Sequence, residues 1–330
     1  MDFYDKICRR AATASSGIAV SVLTAAALAL LLIAPAKVYA DMPTSQFLLV
    51  GQGARAEAMG ESIVADCFDQ TATYWNPAAM SFAAYPEIGL NSVPLVGGIM
   101  VNDVGFVYPG KKFSFGFRMI TMGSQMDNYD SNGVLQSQGL SESDGNTDVF
   151  ASYKLRDNLS LGIGMGSTSM KYSVPGITYS ASTTNTNIGV VYKKDELALA
   201  ASIDNIGGDV KLTDLSAGEP QPEVVRLGGA YKFLDDKNLT VAAAMERNIY
   251  DKNASGFRVG SEYAFNPYFA ARGGFIFENN GDTRPTIGFG GYYAGFSLDF
   301  SSTISPSSMS DINTYRFGLS YKFGVKDTDD

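Results

Sequence analysis

The chain has no histidine and a single tryptophan in 330 residues. Without imidazole there is no Ser-His or Cys-His nucleophilic pair, and zinc loses its commonest nitrogen ligand. Carboxylate pairs and a Ser-Lys dyad are the acid–base chemistry that remains, and no spacing singles one out. The expectation is a non-enzymatic chain with no cofactor and no metal site. Cysteine is almost as scarce: Cys8 and Cys67 are the two present. They fall on either side of an export cleavage site, so the mature chain keeps one thiol and forms no internal disulfide. Cys67 reads as a small packed core residue. Positive charge is also short, with 25 Lys and Arg against 34 Asp and Glu, a net charge of −9. Nucleic acid is therefore not an expected partner, because phosphate neutralisation needs clustered basic residues.

Long apolar runs are missing too, apart from one at the N-terminus. Lys6, Arg9 and Arg10 precede the apolar stretch 18–34, and Val38-Tyr39-Ala40 supplies small-residue cleavage chemistry. This reads as a signal peptide over residues 1–40, since the run is stopped by Pro35 short of the ~20 residues a spanning helix needs. Residues 1–40 hold four basic and two acidic residues, which leaves 21 against 32 and a mature net charge of −11.

What is present falls into two textures. Residues 41–85 lack strand-like alternation and are dense in small, charged and capping residues. Pro43 to Val50 suits one helical turn, with Thr44 or Ser45 capping it and Gly51 ending it. Ala54 to Met59 has helix-forming composition and stops at Gly60. Ser62 to Ala65 suits a short strand, and Asp69 an N-cap for Gln70 to Trp75. Asn76-Pro77 makes a rigid corner, because proline disfavours helix in the residue before it and favours the first position of a new turn.

From Pro86 the period becomes two. Phe113, Phe115, Phe117 and Met119 oppose Ser114, Gly116 and Arg118, and Tyr315, Phe317, Leu319, Tyr321 and Phe323 oppose Arg316, Gly318, Ser320 and Lys322. About fourteen such strands can be counted, many near the ~9–11 residues a tilted membrane strand requires. Links alternate between short ones (near 109–111, 157–158, 194–195, 235–236, 266–267 and 293–294) and longer ones (near 124–145, 173–184, 205–222, 249–254, 279–284 and 304–313). The expectation is an all-β transmembrane antiparallel barrel over 86–323, a hatch over 41–85 inside its lumen, and a solvated acidic tail over 324–330. With an even strand number both mature ends lie with the short, periplasmic turns of an outer membrane. Tyr153, Tyr172, Tyr192, Tyr231, Tyr263 and Tyr292 lie near strand ends, where interfacial girdles place tyrosine. A soluble periplasmic sandwich, as binding protein or enzyme, is the distant alternative.

If the aromatic face meets lipid, the opposite face carries Arg118, Arg226, Lys232, Arg258, Glu262, Arg272, Glu278, Asp299, Arg316 and Lys322 into the lumen. These residues serve either as a conduit or simply as salt-bridge partners for the plug, and the usual polarity of barrel lumens favours the second. The hatch offers Arg55, Glu57, Glu61, Asp66 and Asp69 to meet them, with Asn76 and Pro77 at the corner. Gly162, Gly164 and Gly166 stand in a strand pattern and open no helix. A nucleotide loop is thereby excluded in favour of strand glycines facing a crowded lumen. Asp144 to Asp148 and Asp204 to Asp209 are acidic loop pieces without EF-hand spacing.

Gly53-Ala54-Arg55-Ala56, Met59-Gly60, Val64-Ala65, Asp69 and Trp75-Asn76-Pro77-Ala78-Ala79-Met80 resemble the N-terminal signature of the PorV/PorQ branch of FadL-like outer-membrane proteins. Asn205-Ile206-Gly207, Arg226-Leu227-Gly228 and Tyr231-Lys232-Phe233 resemble its second half. The resemblance implies a fourteen-stranded barrel with an N-terminal hatch, in the outer membrane of a Gram-negative-type bacterium. It implies a role in translocation or type IX protein secretion, or else FadL-like uptake of hydrophobic small molecules. The partners it implies are outer-membrane lipid, the barrel-insertion machinery, and secreted proteins or a hydrophobic ligand.

Overall fold

In the computed structural model the described residues are 43–125, 127, 132, 134–135, 139–211, 218–234, 238–304 and 314–325. The expected signal peptide over 1–40 and the tail beyond 325 lie outside them. The first strands are β1 (Glu87–Pro94), β2 (Met100–Tyr108), β3 (Phe113–Gln125), β4 (Ser141–Arg156) and β5 (Leu159–Val174). They are followed by β6 (Ile177–Lys194), β7 (Leu197–Gly207), β8 (Val224–Phe233), β9 (Leu239–Asn248) and β10 (Gly256–Asn266). The last are β11 (Phe269–Glu278), β12 (Thr283–Tyr293), β13 (Phe296–Thr303) and β14 (Thr314–Lys322). Each pairs with its sequence neighbours, and β1 pairs antiparallel with β14 to close a fourteen-stranded barrel.

Closure explains the inverted distribution of side chains. In β3 the exposed positions are Phe113, Phe115, Phe117 and Met119, while Ser114, Gly116, Arg118 and Ile120 are buried. Leu298 is 62% exposed and Val149 likewise, whereas the Arg118 and Arg226 side chains are nearly inaccessible. A soluble fold would reverse this. A sheet whose outer face meets hydrocarbon and whose inner face meets a polar plug requires it.

The expected short link at 235–236 lies outside the described residues. Barrel residues 87 and 322 lie opposite each other, at the rim that carries the turns 109–112, 157–158, 195–196, 267–268 and 294–295. The last of these is a two-residue hairpin in which Ala294 and Gly295 both have positive φ, 49° and 82°, the backbone such a tight turn requires. Outward aromatics gather along this rim in ring contacts, Phe113 with Tyr153, Tyr263 with Phe265, and Phe296 with Tyr321. Not every expected girdle residue joins them. Tyr292 points into the lumen and accepts from Arg272, and Tyr192 is buried.

The opposite rim departs from expectation on one side. The segment 173–184, expected as a loop, is a two-residue turn at Pro175-Gly176 followed by strand. Val174 pairs with Ile177, and Gly176 has φ 84°, the pairing of proline and left-handed glycine that a tight turn favours. β4, β5 and β6 run to 16, 16 and 18 residues, well beyond the ~9–11 a bilayer needs, so their ends project past it. Asp144 to Asp148 and Asp204 are likewise strand rather than loop, and Asp144, Asp148 and Asp204 are buried.

Residues 43–85 fill the barrel. A 3-10 turn (Gln46–Leu49) leads into helix α1 (Ala54–Ala58), a 3-10 turn (Ile63–Ala65), helix α2 (Ala72–Trp75) and a 3-10 turn (Pro77–Phe82). Helix α1 packs on β11–β14, Ile63–Ala65 on β7–β9, and Pro77–Phe82 on β3–β6. One short segment touches nearly every strand of a closed ring only from within. Ser62 to Ala65, expected as a strand, is the 3-10 turn instead. Its apolar side chains pack against the wall, Val64 directly over Gly228, and no strand edge is free inside a closed barrel.

Candidate functional site

The hatch has almost no regular structure long enough to be stable alone, so local turn chemistry and the wall hold it. Helix α1 is entered through Gly53 at φ 95° and left through Gly60 and Glu61, both left-handed at 61° and 59°. The Glu61 conformation is an uncommon one for a non-glycine residue and is held by an ion pair from the wall. Asp69 accepts from the backbone N–H and the hydroxyl of Thr71, so it shapes the turn before α2 rather than capping Gln70. Asn76 caps the last turn, accepting from Ala78 N at 3.0 Å, while its amide donates to Val190 O and Ala201 O on the wall, both at 3.2 Å. The corner is thus fastened to β6 and β7. Trp75 donates to Gln52 O at 2.9 Å and Tyr74 to Leu48 O at 2.9 Å, tying the hatch to itself. Burial pushes the Tyr74 hydroxyl and the Cys67 thiol well above their ordinary pKa values, with Asp69 and Asp66 adding to the shift at Cys67. Both stay protonated.

Buried arginine–carboxylate pairs join hatch to wall. Glu57 is fully buried and accepts from Ser301 Oγ at 2.5 Å, Thr303 Oγ1 at 2.6 Å and Thr314 Oγ1 at 3.0 Å. Arg316 Nε lies 3.2 Å from Glu57, and its other nitrogens reach Glu61 at 3.1 Å and Gly51 O at 2.5 Å. A second cluster centres on Arg55, which pairs with Asp66 at 2.5 Å and Glu262 at 2.9 Å. Glu262 also pairs with Arg272, and Arg272 with Asp299 at 2.6 Å. Burial works against the Arg55 charge, but Glu262 and Asp66 outweigh it and hold the pKa well above its ordinary value. On the far side Arg118 donates to Thr73 O at 3.0 Å and pairs with Asp148. Arg226 pairs with Asp204 and Glu246 and lies 5.0 Å from the Trp75 ring centroid. Removing one partner of a buried pair of this kind typically costs ~3–5 kcal/mol, because it strands the other charge.

The remaining lumen positions divide by height. Arg258 pairs with Glu246 at 3.2 Å, and Glu278 pairs with Arg284 toward the long-loop rim. Lys232 and Lys322 stand at the short-turn rim and make no ion pair among the described residues. Sequence reasoning missed Asp148, Asp204 and Glu246 as partners. Arg118 faces Asp148, Arg226 faces Glu246 and Glu262 faces Arg272 across adjacent strands, which is readable only once register is known.

Where the hatch meets the wall, the wall is glycine. A Cβ at Gly260 would overlap the Met59 carbonyl, one at Gly274 the Gly60 amide, and one at Gly162 the Pro77-Ala78 peptide. Gly116, Gly189 and Gly228 stand in the same way under Met80, Asn76 and Val64. Backbone therefore packs on backbone around much of the barrel, a separation only a residue without a side chain permits. Among the described residues a cavity lies on either side of this collar. A cavity of about 580 Å³ opens toward the short-turn rim beside Arg55, Phe68, Asp69, Lys232, Glu262 and Lys322. A smaller one of about 250 Å³ lies on the other side beside Glu57, Glu61, Arg258 and Arg316. No group of three metal-ligating side chains converges among the described residues.

Comparison with known proteins fits this geometry. The toluene transporter TbuX of Ralstonia pickettii superposes with a TM-score of 0.60 at 16% identity, covering 83% of this chain and 98% of TbuX. The toluene transporter TodX of P. putida gives 0.61 at 14%, covering 84% and 99%. A FadL homologue of Pseudomonas aeruginosa gives 0.54 at 12%, covering 80% and 96%. At these identities the likeness is one of fold. No curated protein matches the chain in sequence. A family model described as "Type IX secretion system protein PorV" matches residues 38–251, more than half of the chain. On that match, carried by a FadL-like barrel with its hatch in place, the chain belongs to the PorV family.

Proposed function

We propose that this protein is a plugged outer-membrane barrel that serves protein secretion of the type IX kind, working as a docking or escort barrel rather than an open pore. The observation that carries the reading is the hatch–wall interface. Backbone-on-backbone packing at Gly260, Gly274 and Gly162, and buried pairs at Glu57–Arg316 and Arg55–Glu262, suit a plug that stays put. In this reading Arg55, Glu57, Glu61, Asp66 and Asp69 hold the hatch, Asn76 and Pro77 fix its exit, and the lumen-facing charges brace it. The short-turn rim with both barrel ends faces the periplasm, residues 1–40 are removed on export, and the chain performs no catalysis.

Purification of the tagged protein from native membranes, followed by mass spectrometry of what accompanies it, tests the reading. Secreted proteins at stoichiometric abundance support it, and their absence counts against it. The second reading, uptake of a hydrophobic small molecule, draws on the cavity of about 580 Å³, a ligand-sized volume, and on the fold shared with toluene transporters. A bound acyl or aromatic compound in the purified protein favours uptake. Deleting residues 51–80 separates plug from pore: conductance in planar bilayers rises if the hatch blocks the lumen, and stays unchanged if it does not.

A further inference from the structure

The arginines that reach the hatch each have a carboxylate or carbonyl partner, but among the described residues the inward lysines of the short-turn mouth do not, and three of them, unlike Lys322, stand together on one side. Lys154 near the end of β4, Lys193 near the end of β6 and Lys232 near the end of β8 stand half-buried at the short-turn mouth. These are alternate strands, so Lys193 has a backbone neighbour ~10 Å away on either side, and Lys154 and Lys232 stand ~20 Å apart along the wall. The intervening strands present only small residues at that level: Lys154 is registered with Ser160 on β5, and Lys193 with Ala198 on β7. Both small residues are buried, Ser160 where it donates to Ala78 O of the hatch at 2.7 Å.

The hatch supplies a floor of two aromatic rings. Lys193 Nζ lies 3.9 Å from the Phe68 centroid and 5.8 Å from that of Phe82, and Lys154 Nζ lies 5.3 Å from Phe82. Among the described residues no carboxylate comes within ion-pair distance of any of the three. Lys154 and Lys232 are close enough to repel the charge on Lys193, and the carboxylate that offsets them, Asp66, is already paired with Arg55. Contact with a ring stabilises an ammonium by only ~0.5–1 kcal/mol at a wet site. The larger cavity has Phe68 and Lys232 in its wall, so the Lys232 side of the cluster borders a volume of ligand size.

We propose that Lys154, Lys193 and Lys232 form a binding site for a phosphate-type oxyanion at the short-turn mouth, above Phe68 and Phe82. Three flexible point charges, with the nearby Asp66 carboxylate already engaged by Arg55, match a compact, multiply charged anion better than a single carboxylate. The same chemistry is offered by a free phosphate compound and by a lipid headgroup. The proposal goes beyond the secretion reading and does not depend on what the lumen passes.

The test uses the full-length chain in maltoside micelles, titrated with pyrophosphate at low ionic strength in a calorimeter. Saturable binding is expected, and K193Q/K232Q weakens it by about tenfold or more, equivalent to about 1.4 kcal/mol. K193R/K232R restores binding, and K171Q, at an exposed position away from the mouth, leaves it unchanged. Hydrogen exchange of the hatch confirms that the variants remain folded. In nanodiscs, competition by phosphatidylglycerol identifies a headgroup as the source, and its absence identifies a free anion. No saturable binding, or equal binding by K193Q/K232Q, overturns the site.

Discussion

Replacing Glu57 with glutamine probes the hatch where it is most deeply committed. The substitution keeps shape and one acceptor for the hydroxyls of Ser301, Thr303 and Thr314, and removes the charge facing Arg316 at 3.2 Å. Arg316 keeps Glu61 and the Gly51 carbonyl, so the cost falls at the low end for a broken buried pair, about 3 kcal/mol. If that cost is felt by local opening of the hatch rather than by the whole barrel, opening becomes about 150-fold more frequent. Hydrogen exchange followed by mass spectrometry reads this directly in peptides covering residues 51–61. Those amides exchange about two orders of magnitude faster in E57Q, while strand amides are unchanged. R247Q, which removes an exposed arginine from β9, is silent. An exchange rate in E57Q within about threefold of the unmodified protein refutes the argument that this pair holds the plug.

Three further outcomes follow from the same interface. G274A forces a methyl against the Gly60 amide and destabilises hatch packing by ~1–3 kcal/mol, seen as faster exchange at residues 54–61, whereas G291A, which meets nothing within 4 Å, has no effect. N76A removes a cap and two bonds to the wall, and costs ~2 kcal/mol read as faster exchange at residues 77–82. Cys67, buried and with its thiol pKa raised by burial, resists iodoacetamide at pH 8 in the folded protein and reacts at once on unfolding. Rapid labelling of the native form contradicts that placement.

The sequence is readable where the two faces of a strand meet different surroundings. From Phe113 to Ile120 one face meets hydrocarbon and the other a charged plug, so alternation is sharp and the strand is evident. From Ile177 to Thr184 most positions are exposed, the contrast between Ile, Thr, Tyr and Ser is weak, and a strand looks like a loop. The partners of the lumen arginines were hidden for another reason. Arg118 and Asp148 are 30 residues apart and Arg226 and Glu246 are 20 apart, distances set by turn lengths that composition does not encode. Asn76-Pro77 was legible because its mechanics are local. The glycines of β5 announced a crowded lumen, but that Gly162 meets the Pro77-Ala78 peptide while Gly164 and Gly166 meet Phe150 and Asp148 of the wall depends on the tertiary path.

The partners of Glu57 carry a consequence for assembly. Ser301, Thr303, Thr314 and Arg316 all belong to β13 and β14, at sequence separations of 244 to 257 from the first three contacts counted. The hatch is made first and its deepest charge is answered last. Until the final hairpin arrives, Glu57 has no protein group to replace water, and β1 has no β14 to pair with. Plugging and closure therefore wait on the same two strands, the plug through contacts separated by 244 residues or more, the kind of non-local pairing that forms slowly.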